Sequence, residues 1–304
     1  MHSSACFDRW MRKPLTSPQA ASILACLFPL LAACSALDVI NHVSSDRSFT
    51  ATRDIAYGDL PRQRMDIYRP ADADGATPVV VFFYGGGWKE GSKSDYEFVA
   101  SALTKSGIAV AIPDYRLFPE VTFPAFVEDG AAALAWVVEH AGDFGVDENA
   151  VFVMGHSAGA HIAACVALDS TWLDAHALPA TTLRGLIGLS GPYDFLPIES
   201  GYLLDVFPAE TRERSQPVNF VSAGAPPTLL IHGTDDSTVR IDNSRELAQR
   251  LRDHGVMVEL KAYDGVGHAR IVAAIAPPLG FLADTLPDSV AFIRKVIGAS
   301  ESVD

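Results

Sequence analysis

One stretch near the middle of the chain constrains the fold more than any other part of the sequence. An apolar run at Val151–Met154 leads into Gly-His-Ser-Ala-Gly at 155–159, and an alanine-rich segment with high helix propensity follows. This order predicts a strand, a sharp turn and a helix, with Ser157 displayed on the turn. A side chain two residues before or after the serine would crowd that turn, so Gly155 and Gly159 fit the geometry. The helix would direct its first N–H groups towards the serine.

Strand and helix patterns alternate along the rest of the chain. Strands are expected at 52–57, 64–68, 79–83, 108–112, 151–154, 183–189, 227–231 and 256–262, and further helices at 95–106, 123–141, 242–254 and 286–297. The first two strands form an antiparallel pair, and the later apolar runs are typical of buried parallel strands. We therefore predict one α/β domain at 51–304, with a mostly parallel central sheet and helices on both faces. The stretch 195–225 lacks a strong period and is expected to form a small cap insertion.

A displayed serine needs catalytic partners, and candidates follow later strands. A serine hydroxyl is a weak nucleophile that requires a base, and the base requires an orienting carboxylate. His268 follows the last predicted strand and is our candidate base. The preceding strand ends in His-Gly-Thr-Asp-Asp, where the pattern His-Gly-x-x-Asp favours Asp236 over Asp235 as the acid. His232 and His161 are alternative bases by residue type, but their positions favour structural roles.

A glycine-rich loop supplies the third requirement of acyl chemistry, which is a set of donors for the oxyanion. Tyr84-Gly-Gly-Gly-Trp88 stands at the end of a predicted strand, before the first crossover helix. Glycines allow backbone N–H groups to approach a substrate closely. We predict that the N–H groups of Gly86, Gly87 and Ala158 form the oxyanion hole.

The net charge argues against one class of partner, and the cysteine positions argue against a disulfide framework and a metal site. The formal net charge is −14, which argues against a nucleic acid as partner. The cysteines show neither a disulfide framework nor metal-ligand spacing, and they lie at Cys6, Cys26, Cys34 and Cys165. The last of these falls in a helix pattern and is expected to pack as a small hydrophobe. The sequence carries no signal for an oligomeric state.

The first residues have the composition of a targeting signal. Basic residues precede an apolar stretch at 20–33, which is too short to span a bilayer comfortably. The stretch ends in Leu31-Ala-Ala-Cys34, which resembles the lipid-attachment box of bacterial lipoproteins. That resemblance implies a signal peptide at 1–33, a lipid on Cys34 and a tether at 34–50.

The same resemblance implies a location. Ser35, rather than an aspartate, follows the cysteine, which in Gram-negative lipoproteins points to the outer membrane. We therefore expect a protein of the bacterial cell envelope, anchored through its N-terminal lipid to the outer membrane on the periplasmic side. The alternative is an ordinary secretory signal, which would give a secreted or periplasmic protein.

The chain resembles the α/β-hydrolases of the esterase and lipase superfamily that carry an HGGG-type oxyanion loop. The resemblance covers roughly Arg53–Ile297, and its matches are Gly85–Trp88 with Gly91–Lys93, Asp114–Leu117 with Pro119–Glu120, Gly155–His161, and His232–Asp236 with Gly267–His268. Feruloyl-esterase-like carboxylesterases, kynurenine formamidase and isoprenylcysteine methylesterase are the most similar branches. The resemblance implies a Ser-His-Asp triad with no metal and no organic cofactor. It departs from the family at Tyr84, where histidine is usual.

Three functions follow as hypotheses. The leading one is a serine carboxylesterase that hydrolyses small to medium acyl esters through an acyl-enzyme intermediate. The second keeps the same machinery but acts as an aryl formamidase on an N-formylkynurenine-type amide. The third is a catalytically inactive envelope lipoprotein that binds a ligand.

Three further residues match positions that in the family mostly brace the oxyanion loop and the strand ends. They are Trp88, Tyr115 and Arg116, and the resemblance implies that role for them in preference to substrate contact.

Overall fold

The computed structural model describes residues 36–44, 48–199 and 201–301. The chain divides into a unit at Met1–Val39 and a larger unit at Ile40–Asp304. The predicted signal peptide and the lipidation residue Cys34 lie outside the described residues. A short helix, α1, spans Ala36–Val43, inside the segment predicted as a tether.

An eight-stranded sheet forms the centre of the larger unit. The strands are β1 (Phe49–Ala56), β2 (Arg64–Pro70), β3 (Thr77–Phe83), β4 (Ala109–Pro113), β5 (Val146–His156), β6 (Leu183–Leu189), β7 (Thr228–Gly233) and β8 (Val258–Tyr263). Their order is β1-β2-β4-β3-β5-β6-β7-β8. The pairs β1–β2 and β2–β4 are antiparallel, and every pair from β4 to β8 is parallel. The predicted mostly parallel sheet is confirmed.

Burial follows the position of each strand in the sheet. The continuous apolar runs form the centre, where the side chains of β4 and nearly all those of β3, β6 and β7 are buried. The outer strands β1 and β8 are largely exposed or half-buried, as edge strands are. A bulge interrupts β1 between Thr52 and Ile55, where Asp54 has a φ of 56°.

Helices cover both faces of the sheet. They are α2 (Glu97–Thr104), α3 (Ala125–Glu139), α4 (Ala158–Leu168), α5 (Thr171–Asp174), α6 (Gly201–Val206), α7 (Asp242–Asp253), α8 (His268–Ala273) and α9 (Thr285–Glu301). On one face the ring of Phe83 approaches Gly130 of α3. Phe152 points to the opposite face, because it pairs with Val80, an odd number of residues from Phe83. There it lies beside Gly185 and near Phe292 of α9.

Differences from the predicted elements include β5, α8 and the stretch 195–225. Strand β5 begins at Val146, five residues before its apolar run, because Val146 pairs with Thr77 of β3 ahead of a register shift. Helix α8 begins at His268, where the sequence suggested only a loop, and its six residues are too few to give a period. The stretch 195–225 contains α6 and two single 3₁₀ turns, at Ala209–Thr211 and Pro217–Phe220. None of the helices in the described ranges has the length and apolarity needed to cross a membrane.

Candidate active site

Ser157 stands on a tight turn between β5 and α4. Its backbone has φ 55° and ψ −122°, which few side-chain-bearing residues adopt. A Cβ on Gly155 would lie 2.3 Å from the carbonyl oxygen of Gly159, and a Cβ on Gly159 would lie 2.0 Å from that of Phe83. Neither position can accept a larger residue without moving the backbone. The strand, turn and helix predicted around the serine are therefore present, and both glycines are required by close approach.

A continuous hydrogen-bond chain joins the serine to the predicted base and acid. The Oγ atom of Ser157 lies 2.8 Å from Nε2 of His268. The other ring nitrogen of that histidine, Nδ1, lies 2.7 Å from Oδ2 of Asp236. These distances match the nucleophile–base and base–acid contacts of a serine triad. The three residues come from the ends of β5, β7 and β8, at the carboxyl edge of the sheet.

The carboxylate of Asp236 is held by several donors. Its side chain has no exposed surface, and its Oδ1 atom accepts the backbone N–H groups of Thr238 and Val239, each at 2.9 Å. Burial alone would raise the pKa of this carboxyl group. Hydrogen bonds from His232, His268 and the Val239 N–H outweigh burial and hold the pKa well below its usual range. Asp236 is therefore ionised at neutral pH and can orient and stabilise a protonated His268.

The side chains of the alternative bases have partners other than the serine hydroxyl, and the alternative acid is exposed. Asp235 is exposed, although it neighbours Asp236 in the sequence. His232 is fully buried, with Nε2 donating to the Val239 carbonyl at 2.9 Å and Nδ1 2.7 Å from Ser244 Oγ. His161 is also fully buried and donates from Nε2 to the carbonyl of Ser215 at 2.7 Å.

The predicted oxyanion loop adopts a conformation that favours glycine. Gly86 and Gly87 have φ values of 133° and 60°, and Trp88 also has a positive φ of 60°. The Gly86 carbonyl turns back into the loop and accepts the N–H groups of Lys89 and Glu90, both at 3.1 Å. Both glycines line the same cleft as the serine.

The third predicted donor is the first residue of α4. Ala158 N–H lies in the first turn of that helix, where backbone donors have no acceptor within the helix. The carbonyl of Ser157 accepts the N–H of His161, which begins the helical pattern directly after the nucleophile. The positive end of the helix dipole is thus directed at the serine and favours negative charge developing there.

A cleft of about 850 Å³ opens over the serine. Its apolar wall comes mainly from the oxyanion loop and from the stretch after β6, with Trp88, Pro192, Phe195, Leu196, Pro197, Tyr202, Leu203 and Val239. Among the described lining residues, the acidic ones are Glu90, Asp194, Glu199, Asp242 and Glu246, and the basic ones are Lys89 and Arg240. Arg240 is paired with Asp242 at 2.7 Å, and the Lys89 ammonium lies 4.6 Å from the centre of the Tyr202 ring. The cleft can therefore take an uncharged acyl group against an aromatic wall.

Of the three residues expected to brace the site, two make structural contacts and the third also lines the cleft. Tyr115 is fully buried, and its hydroxyl donates to the Tyr84 carbonyl at 2.8 Å. Arg116 binds Asp129 through Nε and its own backbone N–H. Trp88 both packs edge-on against Phe207, with ring centroids 4.8 Å apart, and lines the cleft.

Some residues of the site were missed at the sequence level. The Asp236-Ser-Thr-Val239 turn, in which the acid accepts two following N–H groups, has a recognisable aspartate-turn pattern that would have favoured Asp236 further. Tyr202 lies in the unpatterned stretch 195–225, and no local signal predicted that it lines the cleft. The described part of the chain has no group of three or more His, Cys, Asp or Glu residues arranged to hold a metal ion.

The sheet order, the elbow after β5 and the residues after β7 and β8 define an α/β-hydrolase fold. Solved structures agree: esterase B from Lactobacillus rhamnosis superposes with a TM-score of 0.74 at 20% identity, covering 95% of this chain and 98% of that one. Residues 65–251, more than half of the chain, match the BD-FAE family model. The chain belongs to the BD-FAE family.

Curated relatives resemble the chain more closely in sequence. It is 34% identical over 260 residues to isoprenylcysteine alpha-carbonyl methylesterase ICME of Arabidopsis thaliana, which covers 78% of this chain. It is 29% identical over 255 residues to kynurenine formamidase of Danio rerio, covering 78% of this chain and 84% of that protein. The chain spans 50% to 60% of the length of the first five relatives, all named as isoprenylcysteine methylesterases.

Proposed function

We propose that this protein is a serine hydrolase that cleaves carboxylic esters of small to medium acyl groups. The hydrogen-bond chain Ser157–His268–Asp236 carries the proposal, because it links a displayed hydroxyl to a base and an ionised acid over 2.8 and 2.7 Å. The loop with Gly86 and Gly87 supplies donors on the same cleft. Relatives named as esterases support the same class of reaction.

The first half of the reaction forms an acyl-enzyme. Ser157 Oγ attacks the ester carbonyl while His268 Nε2 takes its proton, and Asp236 stabilises the resulting imidazolium. The carbonyl electron pair moves onto oxygen, where the N–H groups of Gly86, Gly87 and Ala158 stabilise the charge. The tetrahedral intermediate collapses, the C–O bond to the alcohol breaks, and His268 returns the proton to the departing alkoxide.

The second half releases the acid. A water molecule attacks the acyl-enzyme carbonyl and gives a proton to His268, forming a second tetrahedral intermediate in the same oxyanion hole. Its collapse breaks the bond to Ser157 Oγ, which takes the proton back from His268. The carboxylic acid leaves and the free enzyme is restored.

Substitution of the serine tests this proposal directly. Ser157→Ala should lower kcat for p-nitrophenyl acetate by at least about a thousandfold, since it removes the nucleophile of a cooperating triad. A fluorophosphonate probe should label the wild-type protein and not the variant. Ser222→Ala, in an exposed loop, is the control and should retain both activity and labelling. Wild-type turnover in Ser157→Ala would refute the mechanism, and failure to label wild-type protein would favour an inactive binding protein.

The kynurenine formamidase of Danio rerio supports a second candidate, hydrolysis of an aryl formamide, because the match covers 84% of that protein. N-formylkynurenine carries an α-carboxylate and an α-ammonium. Among the described lining residues Arg240 is paired with Asp242 and Lys89 lies over the Tyr202 ring, while several carboxylates line the same cleft. Turnover of N-formylkynurenine should therefore be compared with acetyl, butyryl and feruloyl esters. A kcat/KM for the formamide above that of every ester would assign the protein to the second candidate.

We also propose that Cys34 carries a lipid that anchors the protein in the bacterial envelope, at the outer membrane facing the periplasm. The basic n-region, the short apolar core and Leu31-Ala-Ala-Cys34 support this location. In a Gram-negative host, palmitate label should enter the wild-type protein and the Cys26→Ser control but not Cys34→Ser. Label in Cys34→Ser, or none in wild type, would contradict lipidation and favour a secreted or periplasmic protein.

A further inference from the structure

The loop that presents Gly86 and Gly87 begins at a buried tyrosine. Tyr84 has no exposed surface, and its ring lies between those of Tyr96 and Tyr115, with centroids 5.7 and 4.6 Å away and interplanar angles of 17° and 24°. Burial raises the pKa of Tyr84 well above its ordinary value, so the hydroxyl keeps its proton. That hydroxyl donates to Oδ1 of Asp114 at 2.8 Å. The start of the loop is thus held by stacking and by a buried polar contact.

The other partner of this hydroxyl is an arginine from a distant turn. Arg62, between β1 and β2, donates from Nη2 to Tyr84 Oη at 2.8 Å. The same Nη2 atom donates to the Gly91 carbonyl at 3.0 Å, and Nε donates to the Tyr115 carbonyl at 2.8 Å. One guanidinium therefore contacts the residue before the three loop glycines, the residue at the far end of the loop, and Tyr115, two residues beyond the end of β4.

The loop has contacts of its own, since the Gly86 carbonyl accepts the Lys89 and Glu90 N–H groups, but its two donor glycines have no side chain that could be packed in place. Gly86 and Gly87 sit at positive φ and gain conformational freedom from having no side chain. An oxyanion donor contributes to catalysis only if it is already in place when charge develops, since reorganisation would cost part of the stabilisation. Fixing both ends of residues 84–91 limits the positions that the two glycine N–H groups can take.

We propose that Arg62 is a positioning residue for oxyanion binding, which it fixes by joining Tyr84 and Gly91 at the two ends of the oxyanion loop. The inference rests on the proposed ester hydrolysis. A planar guanidinium with several donors can reach three acceptors at once, whereas a lysine ammonium on a flexible stem cannot hold the same fork geometry. Tyr84 takes part through its hydroxyl, in the position where the resembling family has histidine.

Substitution of Arg62 by methionine tests the proposal. Arg62→Met should lower kcat for p-nitrophenyl butyrate about tenfold to a hundredfold with KM within about twofold, because oxyanion donors act in the transition state. Arg62→Lys should fall between wild type and Arg62→Met. The affinity for a trifluoromethyl ketone, which forms a tetrahedral adduct with the serine, should fall in parallel with kcat.

A matched control lies two residues away. Arg64 donates only to carbonyls of its own turn in the contacts described, those of Gly58 and Gln63, so Arg64→Met should leave kcat within about twofold. If Arg62→Met does not fold, Tyr84→Phe tests the same contact, because it keeps the stacked ring and removes the hydroxyl; its kcat should fall with KM unchanged.

The outcomes separate this inference from the proposed function. A folded Arg62→Met protein with wild-type kcat, or a rise in KM with kcat unchanged, would overturn the positioning role while the wild-type enzyme still hydrolysed the ester. An absence of ester turnover in the wild-type protein would instead overturn the proposed function on which the inference rests. A parallel loss of kcat and of affinity for the tetrahedral adduct, absent from Arg64→Met, supports the positioning role.

Discussion

The Oδ2 atom of Asp236 lies 3.3 Å from Nε2 of His232, a histidine with no exposed surface. The same oxygen lies 2.7 Å from Nδ1 of His268. The carboxylate is therefore shared between a histidine that faces the serine and one that is buried beneath it. Because the Nε2 atom of His232 also donates to the Val239 carbonyl, it carries a proton, and this proton helps to keep Asp236 ionised.

Replacement of the buried histidine should reduce activity without removing it. His232→Asn removes Nε2, which donates to Asp236 and to the Val239 carbonyl, and leaves that carbonyl without its partner. We expect kcat to fall about tenfold and the free energy of unfolding to fall by about 1–3 kcal/mol, the usual cost of an unsatisfied buried group. Steady-state kinetics and urea unfolding measure the two effects. A variant that matched wild type in both would show that His232 does not support the acid.

The two adjacent aspartates offer a matched test of the acid. Asp236→Asn should lower kcat by about a thousandfold or more, since an amide can bind the wrong tautomer of His268 and cannot stabilise its protonated form. Asp235→Asn should leave kcat within about twofold, because Asp235 is exposed. The measurement is kcat/KM for the same ester in both variants. A larger loss in Asp235→Asn than in Asp236→Asn would assign the acid to Asp235.

A methyl group in the oxyanion loop should impair the chemical step selectively. A Cβ on Gly86 would lie 2.0 Å from the Glu90 carbonyl oxygen, and the φ of 133° is unfavourable for alanine. Gly86→Ala should lower kcat about a hundredfold with a smaller change in KM. Gly75→Ala, where a Cβ meets nothing within 4 Å, is the control for alanine substitution and should behave as wild type. A Gly86→Ala enzyme with normal kcat would exclude this loop from oxyanion binding.

The sheet and the elbow were predictable because they depend on local pattern. The apolar runs before Ser157, Asp236 and His268 predicted strands. Parallel strands bring their carboxyl ends to the same edge of the sheet. The α/β-hydrolase fold expected from these runs and from the family resemblance is confirmed by the sheet and by the solved structures it resembles. Proximity of the three side chains then followed from topology.

The contacts that support the catalytic site depend on tertiary packing, so no local sequence pattern predicts them. Arg62 lies in a turn and has no periodic signal, and its contact with Tyr84 exists only because β2 pairs with β4 beside the oxyanion loop. Likewise, His161 was placed on α4 by its sequence position, but its bond to Ser215 joins residues 54 apart in the chain. Such contacts are visible only once the sheet order is known.

Buried histidine should also govern how the stability of this protein responds to acid. Burial lowers the pKa of His161 to about 4, partly offset by its bond to the Ser215 carbonyl. In the described structure its Nδ1 atom is buried without a hydrogen-bond partner, so a proton added there would lack an acceptor. The folded state therefore resists protonation that the unfolded chain accepts below about pH 6.5.

The sign of the pH dependence follows from this difference in proton uptake. Between about pH 6.5 and 4 the unfolded state binds more protons at His161, so the free energy of unfolding should fall as the pH falls, by up to about 1.4 kcal/mol per pH unit from this one group. His161→Gln keeps a donor for Ser215 and removes the titration, so its unfolding free energy should fall less steeply between pH 6.5 and 5. His156, whose pKa burial lowers to about 3, will retain part of the slope. Urea unfolding at pH 7, 6 and 5 measures this pH dependence, with His254→Gln, at an exposed position, as the control. An equal slope in His161→Gln and His254→Gln would contradict the prediction. It would show that His161 is already protonated in the folded protein or does not titrate in this range.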